Sequence, residues 1–546
     1  MKNKEVLHFI SNNIKGNKRK IVLLSIIQIL LGTLTVAFSF MLRFLISSLE
    51  EKNNNLFIIY VIVMSSIALL LVGLQIFYRI YYEYCYVDIE NKLKDNLYKT
   101  ILSKDYSEIK KIHDEEWIHR LTSDVSVISS SILSILPSLC RMVVQLVLAI
   151  AAIIYLYPIF GLSLLPFIVF VILLTYLLRK RLKLYHKKMQ EEDGKVKIFF
   201  FESLQGLSII HSFVKEDIFS KKNEDNLSNY KKARMKRNLF SIACSIGYIV
   251  VYYSFYILAI IFCGRAIIDN NMTIGLLTAL IALLTQLTGP LGNITNIIPR
   301  YYSLIASGER IMIDRDDDIS YLSKSEIDQY YQDEFKSIEI KHISYSYLDK
   351  YDHQVEAIKD LSLTINKNEK ILIKGHSGGG KTTLFKLLLS LIKPDDGEIL
   401  INGEPLSKRY ERLFAYVPQD NLLMEGRIKD VITLYDNDID EQLFNNALHI
   451  SESYDFINKL NDKENTVLNV KGSGLSLGEM ERIAIARVMY SSSPILLLDE
   501  CSASLDESTE KKVMNNILSL SDRTIILISH HKYDDTLFDK VIDLGE

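Results

Sequence analysis

The most constraining feature of this chain is a run of 37 consecutive residues without a single charge, 142–178. Residues 21–42, 56–77, 239–264 and 270–299 carry no charge either. A helix needs about 20 apolar residues to cross the hydrocarbon core of a bilayer. A soluble core has little room for several separate runs of this length, so buried helices of a large soluble protein are the weaker reading. The longest run exceeds one span and breaks at Tyr157-Pro158, which makes it a hairpin. Six transmembrane helices are therefore predicted, at about 21–46, 56–82, 132–156, 159–180, 239–265 and 272–299.

Lysine and arginine set the expected orientation. The loops near 47–55, 157–160 and 265–273 hold only Lys52 and Arg265. The opposite segments, about 83–130 and 180–238, are long and basic, as in "RKRLKLYHKKMQ" and "YKKARMKR". Basic loops stay in the cytoplasm, so both termini are expected there. The basic segments are helix-permissive and read as helical extensions of the spans. Residues 1–20 are too polar for a signal peptide and read as a cytoplasmic helix at the membrane surface. The five cysteines show no close pair and no metal-type spacing. A net charge of -3 points to no nucleic-acid partner. The expected organisation is a transmembrane domain over 21–312, an acidic linker over 313–336 and a soluble domain over 337–546.

The soluble part carries "KILIKGHSGGGKTTLFKLLLSL". An apolar strand enters a glycine-rich loop that opens a helix. Gly375, Gly380, Lys381 and Thr382 meet the phosphate-loop spacing G-x-x-x-x-G-K-[ST]. Such a loop wraps phosphates with backbone N–H groups, and the helix N-terminus adds positive potential. Lysine reaches the β- and γ-phosphates, and the threonine hydroxyl ligates magnesium. Gly375, His376, Ser377, Gly378, Gly379, Gly380, Lys381, Thr382 and Thr383 are thus the expected nucleotide cradle. Further on, "PILLLDE" ends an apolar strand in Asp499 and Glu500. A strand-end aspartate suits magnesium, and the adjacent glutamate can polarise an attacking water.

In these motifs, their order and their spacing, nearly the whole chain resembles an ABC transporter of the exporter type. The resemblance implies six membrane helices with long helical extensions, followed by an α/β ATP-binding cassette domain. It implies that Tyr347, in "ISYSYLD", stacks on adenine. Gln419, in "AYVPQD", would sense magnesium and the γ-phosphate, and His530, in "ILISHH", would be the switch histidine. Asp506, in "CSASLD", matches a dimer-contact aspartate. The catalytic set is then Glu500, His530, Lys381 and Gln419, with ATP as cofactor and Mg2+ held through Thr382, Gln419 and Asp499. "RLTSDVSVI", "FESLQGLSIIHSFVKED" and "ASGERI" match the coupling regions and the exit of the sixth span, with short helices expected near 109–118 and 207–215.

The signature departs from the family's LSGGQ. It reads Leu475-Ser476-Leu477-Gly478-Glu479. The resemblance implies that Ser476 and Gly478 meet the ATP bound by a second half-transporter chain. Leu477 is costly if its position requires positive φ, and otherwise only crowds the phosphate. Glu479 repels phosphate but is favoured in the first turn of a helix. A normal catalytic glutamate beside an altered signature points to a heterodimer, with a homodimer as the alternative. Arg141, Gln286, Asn293, Asn296 and the tyrosines 248, 252 and 256 are candidate pathway residues, because polar groups in spans are expensive. They suit a peptide or an amphipathic, drug-like molecule. A mainly regulatory ATP-binding half and an importer of chelated metal are the remaining readings. Abundant Asn, Lys, Ile and Tyr point to a bacterial plasma membrane.

Overall fold

The computed structural model describes the chain except residues 1, 14, 113, 270–271, 314–323, 349–352, 377, 420–422, 470–473, 492, 532 and 545–546. It also leaves out the side chains of 2–3, 163–165, 167–180, 182–183, 244–245, 247–248, 251, 291–296, 324–325, 348 and 408–409. The chain divides into two compact units, 1–102 with 112–315, and 103–111 with 316–546.

The first unit is helical. It contains α1 (Lys2–Asn13), α2 (Lys18–Glu50), α3 (Asn54–Ser103), α5 (Asp114–His119), α6 (Val125–Leu156), α7 (Pro158–Gln205), α8 (Leu207–Ser212), α9 (Glu216–Ile268) and α10 (Ile274–Ile311). The short α4 (Tyr106–Ile109) falls in the second unit. Five of the six predicted spans lie inside one of α2, α3, α6, α7 and α9, and the sixth, 272–299, lies in α10 apart from its first two residues. Among the described residues, Lys15–Glu50, Asn54–Ser103 and Asp114–Leu156 are long and apolar enough to cross a membrane. The run at 159–180 has most of its side chains outside the described residues.

These helices continue far beyond their apolar segments: α3, α7 and α9 have 50, 48 and 53 residues. Pairs such as Glu90–Lys94, Asp95–Lys99, Lys187–Glu191 and Asp193–Lys197 line the polar extensions at i,i+4 spacing. Polar sequence here ends the bilayer match without ending the helix. The N-terminal segment is shorter than expected as a separate helix, because α2 already begins at Lys18. Val6 and Ile10 of α1 are buried, and a Cβ on Gly308 of α10 would come within 2.5 Å of Val6 Cγ1.

The second unit is layered. Strands β1 (Ser337–Leu348), β2 (Gln354–Asn366), β4 (Asp396–Ile401) and β5 (Glu404–Pro405) form an antiparallel sheet in the order β2-β1-β4-β5. A parallel sheet runs β11-β3-β10-β9-β6, built from β3 (Lys370–Lys374), β6 (Phe414–Val417), β9 (Ile495–Asp499), β10 (Thr524–Ile528) and β11 (Lys540–Asp543). The hairpin β7 (Gly426–Arg427) and β8 (Val467–Leu468) stands apart. Helices α11 (Lys324–Gln329), α12 (Lys381–Leu388), α13 (Ile428–Thr433), α14 (Glu441–Ile450), α15 (Tyr454–Lys459), α16 (Leu477–Tyr490) and α17 (Glu507–Leu518) complete the unit.

Both faces of the parallel sheet are buried, so its strands read as continuous apolar runs. Leu496, Leu498, Ile525 and Leu527 pack into one core, and Ile495, Leu497, Ile526 and Ile528 into the other. That alternation is the two-residue period of a strand. The unit also begins earlier than residue 337. Ile327, Tyr331 and Phe335 are buried in its second core, so the latter part of the expected linker is structural.

Candidate functional site

The site forms where four neighbouring strands end on one side. The phosphate loop follows β3, His530 follows β10, Asp499 and Glu500 close β9, and Gln419 follows β6. The C-terminal edge of a parallel sheet is the usual place for a ligand in such folds.

The loop's glycines are there for conformation. Gly375, Gly378 and Gly380 have φ of 147°, 89° and 77°. Gly380 caps α12, and a Cβ on it would collide with the carbonyl oxygen of Ala357 in β2. Two residues along β2 from Ala357, Val355 pairs with Tyr347 of β1. Tyr347 keeps an exposed ring, edge-on to Tyr345, with its hydroxyl 3.3 Å from Thr383 Oγ1. Lys381 is buried, and its Nζ donates to the carbonyls of Gly375 and His376 at 2.8 and 3.0 Å. Ser377 lies outside the described residues.

The catalytic candidates meet at Glu500. Gln419 Nε2 donates to Glu500 Oε2 at 2.9 Å, and His530 Nε2 lies 2.9 Å from Oε1. Lys381 Nζ is 3.4 Å from the same imidazole nitrogen. Glu500 holds φ of 50°, a left-handed conformation that costs a side-chain-bearing residue roughly 1–3 kcal/mol. Its N–H bonds to Ile528 O at 3.0 Å, which ties the glutamate to the end of β10. The neighbouring histidine points elsewhere: His531 Nδ1 faces Glu510 Oε2 at 3.3 Å.

Asp499 is 1% exposed. Tyr416 donates to its Oδ2 at 3.3 Å, while Oδ1 has no hydrogen-bond partner among the described residues. Burial pushes the carboxyl up from its ordinary range, and the nearby Thr382 hydroxyl pulls the other way. A buried carboxylate oxygen aimed beside a threonine at the mouth of a phosphate loop is the donor chemistry that a hard divalent cation takes.

The signature sits apart from this cluster. Ser476 caps α16 and forms a reciprocal capping box with Glu479. The Ser476 N–H and hydroxyl both donate to Glu479 Oε2, at 2.8 and 2.9 Å. Leu477 is the first residue of the helix, has no positive φ and is 66% exposed. The strain alternative for Leu477 therefore fails, because the position is helical. Gly478 is the demanding one: a Cβ there would lie 3.0 Å from Ser504 O. No hydrogen bond among the described residues joins Ser476 or Gly478 to the phosphate loop. Asp506 caps α17, where hydrogen bonds from Ser508 and Thr509 hold its carboxyl well below the usual carboxylate range.

Two buried polar pairings lie outside the expected site residues. Glu481 is 3% exposed, and both its oxygens accept from Ser504 N–H, at 3.1 and 3.0 Å. It lies on the buried stripe of α16 with Ile485 and Val488, a helical spacing that could have marked it. In the helical unit, the buried Asp124 accepts from Ser307 Oγ at 2.8 Å and from Arg310 Nε at 2.8 Å. Arg310 and Asp124 come from two of the stretches that matched the family separately, 186 positions apart.

The membrane candidates divide. Gln286 Nε2 donates to Ser39 Oγ at 2.9 Å and Gln286 accepts from Gln145 Nε2 at 3.0 Å, so it staples α10 to α2 and α6. Tyr252, Tyr253 and Tyr256 form an aromatic cluster with ring centroids 5.2–6.4 Å apart. The side chains of Tyr248, Asn293 and Asn296 lie outside the described residues. Among the described residues, Arg141 borders a cavity that none of these tyrosines lines.

Comparison with known proteins decides the family. Residues 21–291 match the ABC transporter transmembrane region, and residues 358–503 match the ABC transporter family. This chain belongs to the ABC transporters. It is 28% identical to a putative export ATP-binding/permease protein of Rickettsia typhi, over 94% of this chain and 89% of that one. It is also 28% identical to a putative multidrug export ATP-binding/permease protein of Staphylococcus aureus, over 78% and 74%. Among solved structures, a bacterial Atm1-family ABC exporter with ATP bound has the same fold, with a TM-score of 0.82, 21% identity and coverage of 97% and 95%. As a family member, the transporter binds ATP and couples its hydrolysis to movement across a membrane.

Proposed function

We propose that this ABC transporter is one half of a dimeric exporter in a bacterial cell membrane, with its termini and ATPase domain in the cytoplasm. Its own site hydrolyses ATP, and its Ser476 and Gly478 complete the site of its partner. The observation that carries this reading is the engagement of both Glu500 oxygens, by Gln419 and His530, beside the phosphate loop. A glutamate held in this way can accept a proton from water poised on the γ-phosphate. Lys381 would leave its two loop carbonyls for the phosphates, and Tyr347 would cover adenine. Asp499, Thr382 and Gln419 would hold Mg2+, which neutralises charge on the transferring phosphate. An intact Glu500 disfavours a purely regulatory half.

The partner is proposed to be a different chain. Ser476 donates to Glu479, so the signature serine is engaged within its own helix, and the carboxylate would face a triphosphate. The cargo is proposed to be a peptide or an amphipathic organic molecule. The test is magnesium-dependent ATPase activity of the purified chain alone, with Glu500→Gln as control. Robust turnover lost in the variant establishes a working homodimer and removes the heterodimer reading. A folded chain that binds ATP without turnover supports a second half-transporter.

A further inference from the structure

The helical unit holds a cavity of about 390 Å³ between α2, α3 and α6. Leu31, Val72 and Ile76 form an apolar wall, and Gln75, Arg79 and Arg141 form a polar end. None of its lining residues is acidic. Arg141 has one hydrogen bond among the described residues, from Nη1 to the neutral Gln28 Oε1 at 3.3 Å. Arg79 has neither a hydrogen-bond nor an ion-pair partner among the described residues, and Glu83, one turn along α3, forms no ion pair with it. Helix α2 passes close to α6 at this point: a Cβ on Gly32 would lie 3.3 Å from the Arg141 carbonyl oxygen. Both arginines lie within predicted spans, Arg79 near the end of 56–82 and Arg141 inside 132–156. Two cations here, without a counter-charge, are costly unless something anionic answers them.

We infer that this cavity binds an amphiphile with a phosphate- or carboxylate-type headgroup. The headgroup lies between Arg79 and Arg141, where two guanidinium forks can grip it. The apolar chain runs along Leu31, Val72 and Ile76. The site deepens the proposed cargo class by fixing its charge, and it is read without hydrolysis, so failure of the ATPase reading leaves it testable.

The test is native mass spectrometry of the full chain in neutral dodecyl maltoside, with dodecyl phosphate or dodecyltrimethylammonium added. The expected result is one retained dodecyl phosphate per chain, at least about fivefold over the cation. The Arg79→Gln/Arg141→Gln double variant should bring that ratio to about one, and the Arg79→Lys/Arg141→Lys variant should keep most of it. Unaltered ATP retention reports that the variants are folded. Displacement by phosphatidylglycerol assigns the site to a bilayer lipid, and resistance to it assigns a soluble single-chain anion. Equal retention of both probes, a ratio unchanged in the Gln variant, or a dimer that retains no anion would overturn the assignment.

Discussion

His530 Nε2 and Glu500 Oε1 stand 2.9 Å apart, and the glutamate's other oxygen accepts from Gln419. The end of β10, the end of β9 and the loop after β6 thus converge on one carboxylate. If that carboxylate is the proton acceptor, Glu500→Gln lowers phosphate release by about 10²–10⁴-fold while ATP binding persists. His530→Ala should lower turnover with little change in ATP affinity. Single-turnover phosphate release and equilibrium nucleotide binding measure the two effects separately. Loss of binding in step with turnover would refute the assigned role.

The two middle positions of the signature should respond unequally. Leu477→Gly removes an exposed side chain from the first helical turn and costs at most about 1 kcal/mol. Gly478→Ala presses a methyl group against Ser504 O and costs roughly 1–3 kcal/mol, partly offset by better helix propensity. Thermal unfolding of both variants compares them. A larger loss from Leu477→Gly would contradict the packing argument.

The Asp124–Arg310 pair ties the start of α6 to the end of α10. Arg310 is half exposed, so solvent discounts the pair, and Arg310→Ala should cost about 1–3 kcal/mol. Removing Asp124 as well should restore part of that loss, since the buried carboxylate is then gone. A double-mutant cycle with coupling above about 1 kcal/mol is expected. Strict additivity would mean that the contact contributes nothing.

Glu481 makes stability depend on pH. Burial raises its carboxyl above the ordinary 4.5, and hydrogen bonds from Ser504 offset only part of the shift. Below 4.5 the group is protonated whether folded or unfolded. As pH rises through the folded value, the buried charge erodes stability. Glu481→Gln carries no such charge, so its Tm should gain on the parent as pH rises above 4.5. A gap that is flat across this range would show that Ser504 fully compensates the charge.

The sequence made the phosphate loop legible because glycine spacing is a backbone requirement, and Gly375, Gly378 and Gly380 do adopt positive φ. The C-terminal strand ends were readable for a similar reason, as short apolar runs stopping at Asp499 and His530. Helix ends were less so. Hydropathy stops at the bilayer edge, while i,i+4 ion pairs carry α3 and α7 onward. The Asp124–Arg310 pair and the Glu481–Ser504 contact were hidden because each joins residues that are not neighbours in any local pattern. The Leu477 question turned on one dihedral angle, which no residue type reveals.

The contact of Gly380 with Ala357 has a metric consequence. It clamps the phosphate loop to β2, whose Val355 pairs with Tyr347. The ring and the loop are therefore two jaws of one rigid caliper, set to a single gap. If Tyr347 takes the base and the loop the phosphates, as proposed, a ligand is gauged by the span from base to phosphate, and one of the wrong length meets only one jaw.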